Sequence, residues 1–374
     1  MRGVRQPVTA VRTPARTGGW IEGDPVGSRR FVQLSGPVRL ERGGVLPAVT
    51  VAYESWGTLA PDGGNAVLVE HALTGDSHVV GPAGPGHATA GWWPSLIGPG
   101  APLDTEALFV VCANVLGGCQ GTTGPSATAP DDGPWGSRFP EVTIADQVAV
   151  EAALADALGI GTWRAVLGGS MGGMRALEWA VSRPERVAGL FFLASGAVAS
   201  ADQIGTQTTQ QTAVRSDPDW AGGDYAPGPG PVAGLGIARR IAHLTYRSGL
   251  ELDARFGTTV QDDGRFAVAS YLDHHAAKLA ARFDAGSYVT LTEAMNSWDV
   301  GRGRGGVERA LSRVTARSLV AGVDSDRLYP VAQQQQVADA LGVPLRVIPS
   351  PYGHDGFLLE TAAVGALVSE LLAP

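Results

Sequence analysis

Residues 168–172 read Gly168-Gly169-Ser170-Met171-Gly172, and this stretch decides the fold. The residues from Arg164 to Gly168 form a short apolar run that predicts a strand, and those from Gly173 to Ser182 show a helical pattern. A serine among glycines at such a strand-to-helix turn is typical of a nucleophile elbow, in which a strained turn lifts the hydroxyl above the sheet edge. The local sequence therefore predicts that Ser170 is a catalytic nucleophile.

A glycine-rich turn between a strand and a helix can also bind phosphate groups. That alternative expects a basic residue in the turn, such as the P-loop lysine. The first basic residue after Ser170 is Arg175, so we prefer the nucleophile interpretation. A serine hydroxyl is a weak nucleophile by itself, and the interpretation therefore demands a histidine base held by a carboxylate.

The three groups should follow one another along the chain in the order serine, acid, histidine. Of the seven histidines, only His354 occupies the loop after the final predicted strand. The earlier predicted strand, Ser318 to Val323, is followed by Asp324 and Asp326, and either carboxylate could accept the imidazole N–H. The pattern thus indicates His354 as the base and leaves the acid open between two aspartates.

An acyl-transfer site also needs two backbone N–H donors for the negative charge that develops on the substrate oxygen. One comes from the residue after the nucleophile, here Met171, and the other from the loop after the third strand. In the loop from His71 to Gly75 we assign the second donor to Leu73. Only main-chain atoms take part in this predicted oxyanion hole, so both side chains are free to pack in the core.

The rest of the sequence predicts an α/β fold with a mostly parallel central sheet and helices on both faces. Ala66 to Leu73 and Leu108 to Val115 are short apolar runs bounded by turn residues, as buried parallel strands are. Before them, Val38 to Leu40 and Val49 to Ser55 flank the turn at residues 42–44 and predict a hairpin at a sheet edge.

The pattern also divides the chain into four segments. Residues 1–30 are rich in Arg, Pro, Gly and Thr, and they predict a disordered N-terminal arm. Residues 31–199 and 313–374 carry the strand and helix patterns of the core. Residues 200–312 lack apolar strand runs and show helical patterns, which predicts a helical cap inserted as a lid.

Composition and charge exclude several classes of function. The net charge is −8, which disfavours binding to nucleic acid or to anionic lipid. No apolar stretch approaches the roughly 20 residues that span a bilayer. Residues 1–30 lack the apolar segment of a secretory signal, although a transit peptide is an alternative. Because the two cysteines, Cys112 and Cys119, fall in core segments, we expect a cytoplasmic protein.

Two further patterns suggest cofactor or metal sites, and neither has the required context. Residues 301–306 match the G-x-G-x-x-G pattern of dinucleotide sites, but no predicted strand precedes them. Arg302 and Arg304 within this stretch could still contact an anionic substrate. The adjacent His274 and His275 lack the i, i+4 spacing that places two imidazoles on one helix face, so we expect no metal site.

Longer stretches of the sequence resemble the homoserine O-acetyltransferases of α/β-hydrolase type, from about Phe31 to the C-terminus. The motifs that carry the resemblance are 71–78 (HALTGDSH), 91–93 (GWW), 114–125 (NVLGGCQGTTGP), 133–140 (GPWGSRFP), 168–179 (GGSMGGMRALEW), 201–208 (ADQIGTQT), 238–247 (ARRIAHLTYR) and 299–306 (DVGRGRGG). The resemblance implies an α/β-hydrolase fold with an inserted cap.

The same resemblance implies roles for individual residues. The family's acid precedes a Leu-aromatic pair, which Asp326-Arg-Leu-Tyr matches, and its base is the histidine of Tyr-Gly-His-Asp-Gly-Phe, here His354. It further implies that Arg239 binds the carboxylate of homoserine and that Asp355 binds its ammonium group, with Tyr246 as a weaker pocket candidate. Opposite charges placed apart suit a zwitterion that has lost its water.

A member of this family would use acetyl-CoA as a co-substrate and would hold no permanently bound cofactor. The acetyl group would pass first to Ser170 and then to the hydroxyl of L-homoserine, in a ping-pong reaction of methionine biosynthesis. The family also suggests a homodimer formed through the cap. The pattern leaves open a succinyl donor, a serine acceptor, or a plain serine esterase.

Overall fold

The computed structural model describes residues 18–226 and 228–373. Its strands, in chain order, are β1 (Arg30–Gln33), β2 (Val38–Arg39), β3 (Val45–Leu46), β4 (Thr50–Trp56), β5 (Ala66–Glu70), β6 (Ile97–Gly98), β7 (Leu103–Asp104), β8 (Phe109–Ala113), β9 (Ala165–Gly169), β10 (Gly189–Leu193), β11 (Arg317–Val323) and β12 (Leu345–Ile348). Its α-helices are α1 (Ile144–Ala157), α2 (Met171–Ser182), α3 (Ala201–Arg215), α4 (Val232–Tyr246), α5 (Gly249–Phe256), α6 (Ala267–Ala280), α7 (Ala285–Asn296), α8 (Val307–Leu311), α9 (Val331–Leu341), α10 (Gly356–Leu359) and α11 (Thr361–Leu372).

Eight strands form one sheet in the order β1-β4-β8-β5-β9-β10-β11-β12. β4 is antiparallel to both of its neighbours, and all pairs from β8 to β12 are parallel. Successive strand residues point to opposite faces of the sheet. Val166 therefore packs in an apolar cluster with residues of α1 and α2, whereas Leu167 packs in a second cluster with residues of α11. The predicted α/β class, with a mostly parallel sheet covered on both faces, is confirmed.

The predicted hairpin at the sheet edge was wrong in its second strand. β2 pairs with β3, and the turn between them is closed by the Leu40 N–H, which donates to the Gly44 carbonyl. Pro47 follows β3 and has no N–H to continue the ladder. β4 instead lies inside the large sheet, because its residues from Val51 to Glu54 are buried and need cover on both faces.

Between β10 and β11 the described residues form helices α3 to α8, and none of the strands named above lies in this interval. α4 packs against both α3 and α6, and α3 also contacts α7. α3 begins at a capping box in which Ser200 and Gln203 each bond the other's backbone N–H. The division at residues 200 and 312 remains our interpretation, and these helices are called the cap below.

The arm expected over residues 1–30 falls partly outside the described residues. Its described part, from Gly18 onward, packs on the core: the Trp20 N–H donates to the Cys119 carbonyl at 2.8 Å. The Arg29 side chain is buried and donates to the carbonyl of Gln120 at 3.1 Å. The disorder that we predicted is therefore not found over residues 18–30. In the described ranges, no helix has the length and apolarity needed to span a bilayer.

An aromatic cluster joins cap helices α4 and α6. The ring centroids of His243 and His275 lie 3.9 Å apart, and the Tyr271 hydroxyl lies 3.2 Å from Nε2 of His243. Burial lowers the pKa of His243 to about 2 and that of His275 to about 4, and the positive charge of Arg239 adds to both shifts. Both imidazoles are therefore neutral in the folded protein near pH 7.

We predict that this cluster makes the protein less stable as the pH falls. Because an unfolded histidine titrates near pH 6.5, the unfolded state binds a proton at His275 that the folded state takes up only near pH 4. The free energy of unfolding in urea should therefore decline from about pH 6.5 downward, and less steeply in His275→Gln. The exposed neighbour His274 provides the control, His274→Gln. Equal pH slopes for all three proteins would contradict the prediction.

Candidate active site

Ser170 lies at the turn between β9 and α2 with a backbone of φ 58° and ψ −125°. A positive φ is strained for any residue with a side chain, and such strain persists only where the surroundings impose it. Here the chain is held in very close contact: a Cβ on Gly172 would lie 2.1 Å from the Glu70 carbonyl oxygen, and one on Gly168 would lie 2.1 Å from the Gly172 carbonyl oxygen. The glycines around Ser170 are thus required by space, as the elbow pattern predicts.

His354 lies in a short 3₁₀ turn after β12, and its Nδ1 donates to the Asp326 carboxylate at 2.6 Å. The other oxygen of Asp326 accepts the N–H groups of Leu328 and Tyr329 at 2.9 and 2.8 Å. Both members of the pair are buried. Asp324 instead accepts the Ser350 N–H and ties the ends of β11 and β12 together. Of the two candidate acids, the structure therefore pairs His354 with Asp326.

Two aromatic residues connect His354 with the turn at Ser170. The Phe357 ring centroid is 5.1 Å from that of His354, and a Cβ on Gly169 would collide with the same Phe357 ring. The Tyr329 ring centroid is also 5.1 Å from that of His354, and burial raises the pKa of the Tyr329 hydroxyl, which Ser170 lowers. In the described residues no hydrogen bond joins Ser170 to His354. Such bonds are often long before a substrate binds.

The two predicted oxyanion donors follow paired strand ends. Glu70 of β5 lies opposite Gly168 of β9, and each donor comes three residues later, Leu73 after β5 and Met171 after β9. Met171 begins α2, so its N–H has no partner within the helix. Within the described parts of the chain, neither the Leu73 nor the Met171 N–H donates to another protein group. Both donors are therefore available at the same edge of the sheet.

A buried arginine fixes the loop that carries Leu73. Arg175 of α2 places Nη1 2.7 Å from carboxylate oxygens of both Glu70 and Glu151, and its Nη2 donates to the His71 carbonyl. All three charged side chains are almost fully buried. Burial raises the pKa of Glu70 well above its usual range, and the positive charge of Arg175 partly opposes this shift. The cluster ties the end of β5 and the middle of α1 to the elbow helix.

Of the two residues expected to bind the substrate, Arg239 lies in the cap and Asp355 in the core loop after β12. Arg239 of α4 reaches Thr74 at 3.5 Å, from Nη1 to Oγ1, and its guanidinium lies 5.4 Å from the centroid of the Tyr246 ring. Asp355 is 3.3 Å from Nη1 of Arg247, a partner that we did not predict. Burial raises the pKa of Asp355, although His354, Arg239 and Arg247 oppose this shift.

The arginines of the glycine-rich stretch 301–306 are engaged elsewhere. Arg304 Nη1 donates to Glu178 at 2.7 Å, and Arg302 donates to the Ser297 carbonyl. Because Glu178 is buried, its carboxylate needs this cation. The suggested role of these arginines in binding an anionic substrate therefore has no support in the geometry.

Glu54, His78 and His87 form the group of described residues closest to a metal-binding arrangement. However, the two imidazoles stack at 3.8 Å with an angle of 12°, and metal ligands must aim their in-plane lone pairs at one point. His87 Nε2 already accepts the Ser28 N–H at 2.9 Å, and His78 bonds Glu54 at 3.0 Å. The cluster therefore fits a hydrogen-bonded network better than a metal centre.

The chain is similar to known proteins over most of its length. Residues 65–361 match a family described as having the alpha/beta hydrolase fold. A homoserine O-acetyltransferase of Thermobifida fusca (strain YX) is 64% identical over an alignment of 369 residues, and the alignment covers 96% of this chain and 97% of that protein. The solved homoserine O-acetyltransferase from Bacillus anthracis has a TM-score of 0.84 at 25% identity, covering 92% of this chain and 98% of that one. The crystal structure of esterase E22 has a TM-score of 0.85 at 25% identity, and the match covers 92% of this chain and 99% of that chain.

We predict that Asp326 orients His354, whereas Asp324 does not. In Asp326→Asn the imidazole loses the carboxylate that sets its tautomer, so labelling of Ser170 by a serine-directed phosphonate should slow about 10³- to 10⁴-fold. The labelling rate of Asp324→Asn should stay within a few-fold of that of the unaltered protein. Asp324 accepts a backbone N–H, and the side-chain oxygen of asparagine can accept the same bond. Labelling rates measured by mass spectrometry decide this, and equal slowing in both variants would count against the assignment.

Proposed function

The chain belongs to the homoserine O-acetyltransferases of the alpha/beta hydrolase fold, and on this premise we propose how its residues carry out the acetyl transfer. The observation that supports the proposal most strongly is the buried His354–Asp326 pair beside a serine held at positive φ. A base with a fixed tautomer next to a raised hydroxyl is what an acyl-serine reaction requires.

In the first half-reaction, Ser170 takes the acetyl group from acetyl-CoA. His354 removes the hydroxyl proton as Oγ attacks the thioester carbonyl, and the N–H groups of Leu73 and Met171 hold the resulting oxyanion. The carbon–sulfur bond then breaks, and the proton on His354 passes to the departing CoA thiolate. Asp326 stabilises the imidazolium that forms between these two steps.

In the second half-reaction, the γ-hydroxyl of L-homoserine attacks the acetyl-serine. His354 takes the hydroxyl proton and returns it to Ser170 Oγ as the ester bond to the serine breaks, which releases O-acetyl-L-homoserine. Arg239 holds the carboxylate of homoserine and Asp355 its ammonium group. Because Asp355 already contacts Arg247, the ammonium would share this carboxylate with a second cation.

Water would hydrolyse the acetyl-serine, so the site must exclude it. We interpret residues 200–312 as the lid that does this and residues 31–199 and 313–374 as the core beneath it. The low exposure of Ser170 and His354, 5% and 3%, supports this arrangement. Acetyl-CoA is a co-substrate here, and the reaction needs no permanently bound cofactor. The activity fits a cytoplasmic enzyme of methionine biosynthesis.

The outer face of the cap supports the proposed homodimer. Exposed apolar side chains lie along α3 and α4: Ile204, Val232, Ile237 and Leu244 are each at least 36% exposed. A depression of about 580 Å³ lies beside them, lined by residues of both helices. An apolar patch of this kind is typical of a surface that a partner covers.

We predict that Ser170→Ala abolishes transfer, because no acetyl-serine forms. The unaltered protein should give parallel double-reciprocal plots when acetyl-CoA and homoserine are varied, with CoA release followed by thiol detection. The variant should release CoA at less than about one-thousandth of that rate. A Ser170→Ala protein that still released CoA in response to homoserine would refute the nucleophile assignment.

The same assay separates the alternatives. Succinyl-CoA should be a poor donor and serine a poor acceptor relative to acetyl-CoA and homoserine. For a plain esterase, breakdown of acetyl-CoA would be unaffected by added homoserine, and the proposed function would then be wrong.

We predict that Ile237→Asp converts a two-chain assembly into single chains, because it places a charge in the apolar face of α4. Sedimentation equilibrium measures the mass directly. Leu359→Asp, at a similarly exposed position away from α3 and α4, is the control and should leave the mass unchanged. A single-chain mass for the unaltered protein at micromolar concentration would overturn the proposed dimer.

A further inference from the structure

A second cap arginine reaches the residue that Arg239 contacts. Arg282 follows α6, and its Nη2 donates to the Thr74 carbonyl at 2.7 Å. Its own carbonyl accepts the Gln120 side-chain amide at 2.7 Å, which fixes the backbone at this point. Arg239 approaches Thr74 from α4 at the hydroxyl. Two guanidinium groups from separate segments of the cap therefore converge on the loop that carries Leu73.

The charges of these two arginines are poorly compensated. The carboxylate oxygen nearest Arg282 belongs to Asp76, at 3.9 Å from Nη1, which is too long for a hydrogen bond. Within the described ranges Arg239 makes no ion pair within 4 Å, and its Nε is buried without a partner. The buried Arg247 differs, since its Nη2 lies 2.7 Å from a carboxylate oxygen of Glu251. A buried donor and two cations without a close carboxylate point to an anion that binds between them.

We propose that Arg239 and Arg282 together clamp the α-carboxylate of the acceptor amino acid, so that Arg282 is a second specificity-determining residue for the transfer. The proposal rests on the proposed function and adds a residue outside the motifs that carry the family resemblance. Thr74 adjoins Leu73, so an anion held here lies close to the oxyanion loop. Two guanidinium groups also suit the planar, two-oxygen geometry of a carboxylate.

The position favours a carboxylate over the phosphates of CoA. Asp355 interacts electrostatically with Arg239, so a carboxylate that can take an ammonium group lies near the paired arginines. This arrangement matches the short separation of carboxylate and ammonium in an amino acid. The phosphates of CoA are separated from its thioester by the whole pantetheine arm. With the thioester at Ser170, they would lie well away from Thr74.

The test compares acceptors with and without the carboxylate. L-Homoserine and 3-amino-1-propanol share the ammonium and the hydroxyl, and only homoserine has the carboxylate. In Arg282→Met, kcat/KM for homoserine should fall roughly 10- to 100-fold, mainly through KM, because a charge-assisted bond is lost. The rate with 3-amino-1-propanol should stay unchanged. Arg282→Lys, which keeps the charge and guards against a folding defect, should be intermediate. Arg240→Met, an exposed arginine of α4 paired with Asp273, is the control.

Three results would overturn the clamp. An equal loss with both acceptors, or slower acetylation of Ser170 by p-nitrophenyl acetate, would mean that Arg282 only supports the loop through the Thr74 carbonyl. A raised KM for acetyl-CoA but not for S-acetyl-N-acetylcysteamine, which lacks phosphates, would assign Arg282 to CoA. Unchanged kinetics in Arg282→Met would show that Arg282 has no role in the transfer. If the proposed function itself fails, the unaltered protein will show no response to homoserine, so the two failures are distinguishable.

Discussion

The constraint on which the rest of the site depends is the strained turn at Ser170. A side chain at φ 58° costs on the order of 1–3 kcal/mol, and the fold tolerates it only because its surroundings allow no other path. The buried Arg175 adds to this constraint, because it ties the end of β5 and the middle of α1 to the elbow helix through Glu70 and Glu151. Because the same guanidinium donates to the His71 carbonyl, one buried cation connects the elbow helix with the loop that carries Leu73.

The chemistry above this turn is arranged in two layers. The core supplies the reacting groups, with His354 fixed by Asp326, whose second oxygen is satisfied by backbone N–H groups. In the proposed function, the charges that recognise a zwitterion come from both layers, with Arg239 and Arg282 in the cap and Asp355 in the core loop after β12. A charged substrate can replace its water shell only where such groups are already in place. In this proposal the inserted segment takes part in recognition and also excludes water.

The sequence predicted more of the core than of the cap. The order of strands and helices around Ser170, and His354 in the last loop, follow from local periodicity and turn residues. The hairpin prediction was wrong because periodicity shows that β4 is a strand but not which neighbours it pairs with. The partner of Asp355 was missed for a similar reason: Arg247 lies 108 positions away in the chain, and the local pattern there indicates only a helix end.

By itself, the sequence determined the elbow and the class of chemistry, because steric demands at a tight turn and the reactivity of a serine are properties of a few adjacent residues. The tertiary structure decided which aspartate holds the histidine, since both candidates are carboxylates in one loop and only the backbone path aims Asp326 at it. It also decided that Arg282 stands beside Arg239 at Thr74. Packing of the cap on the core creates that proximity, and no spacing along the chain encodes it.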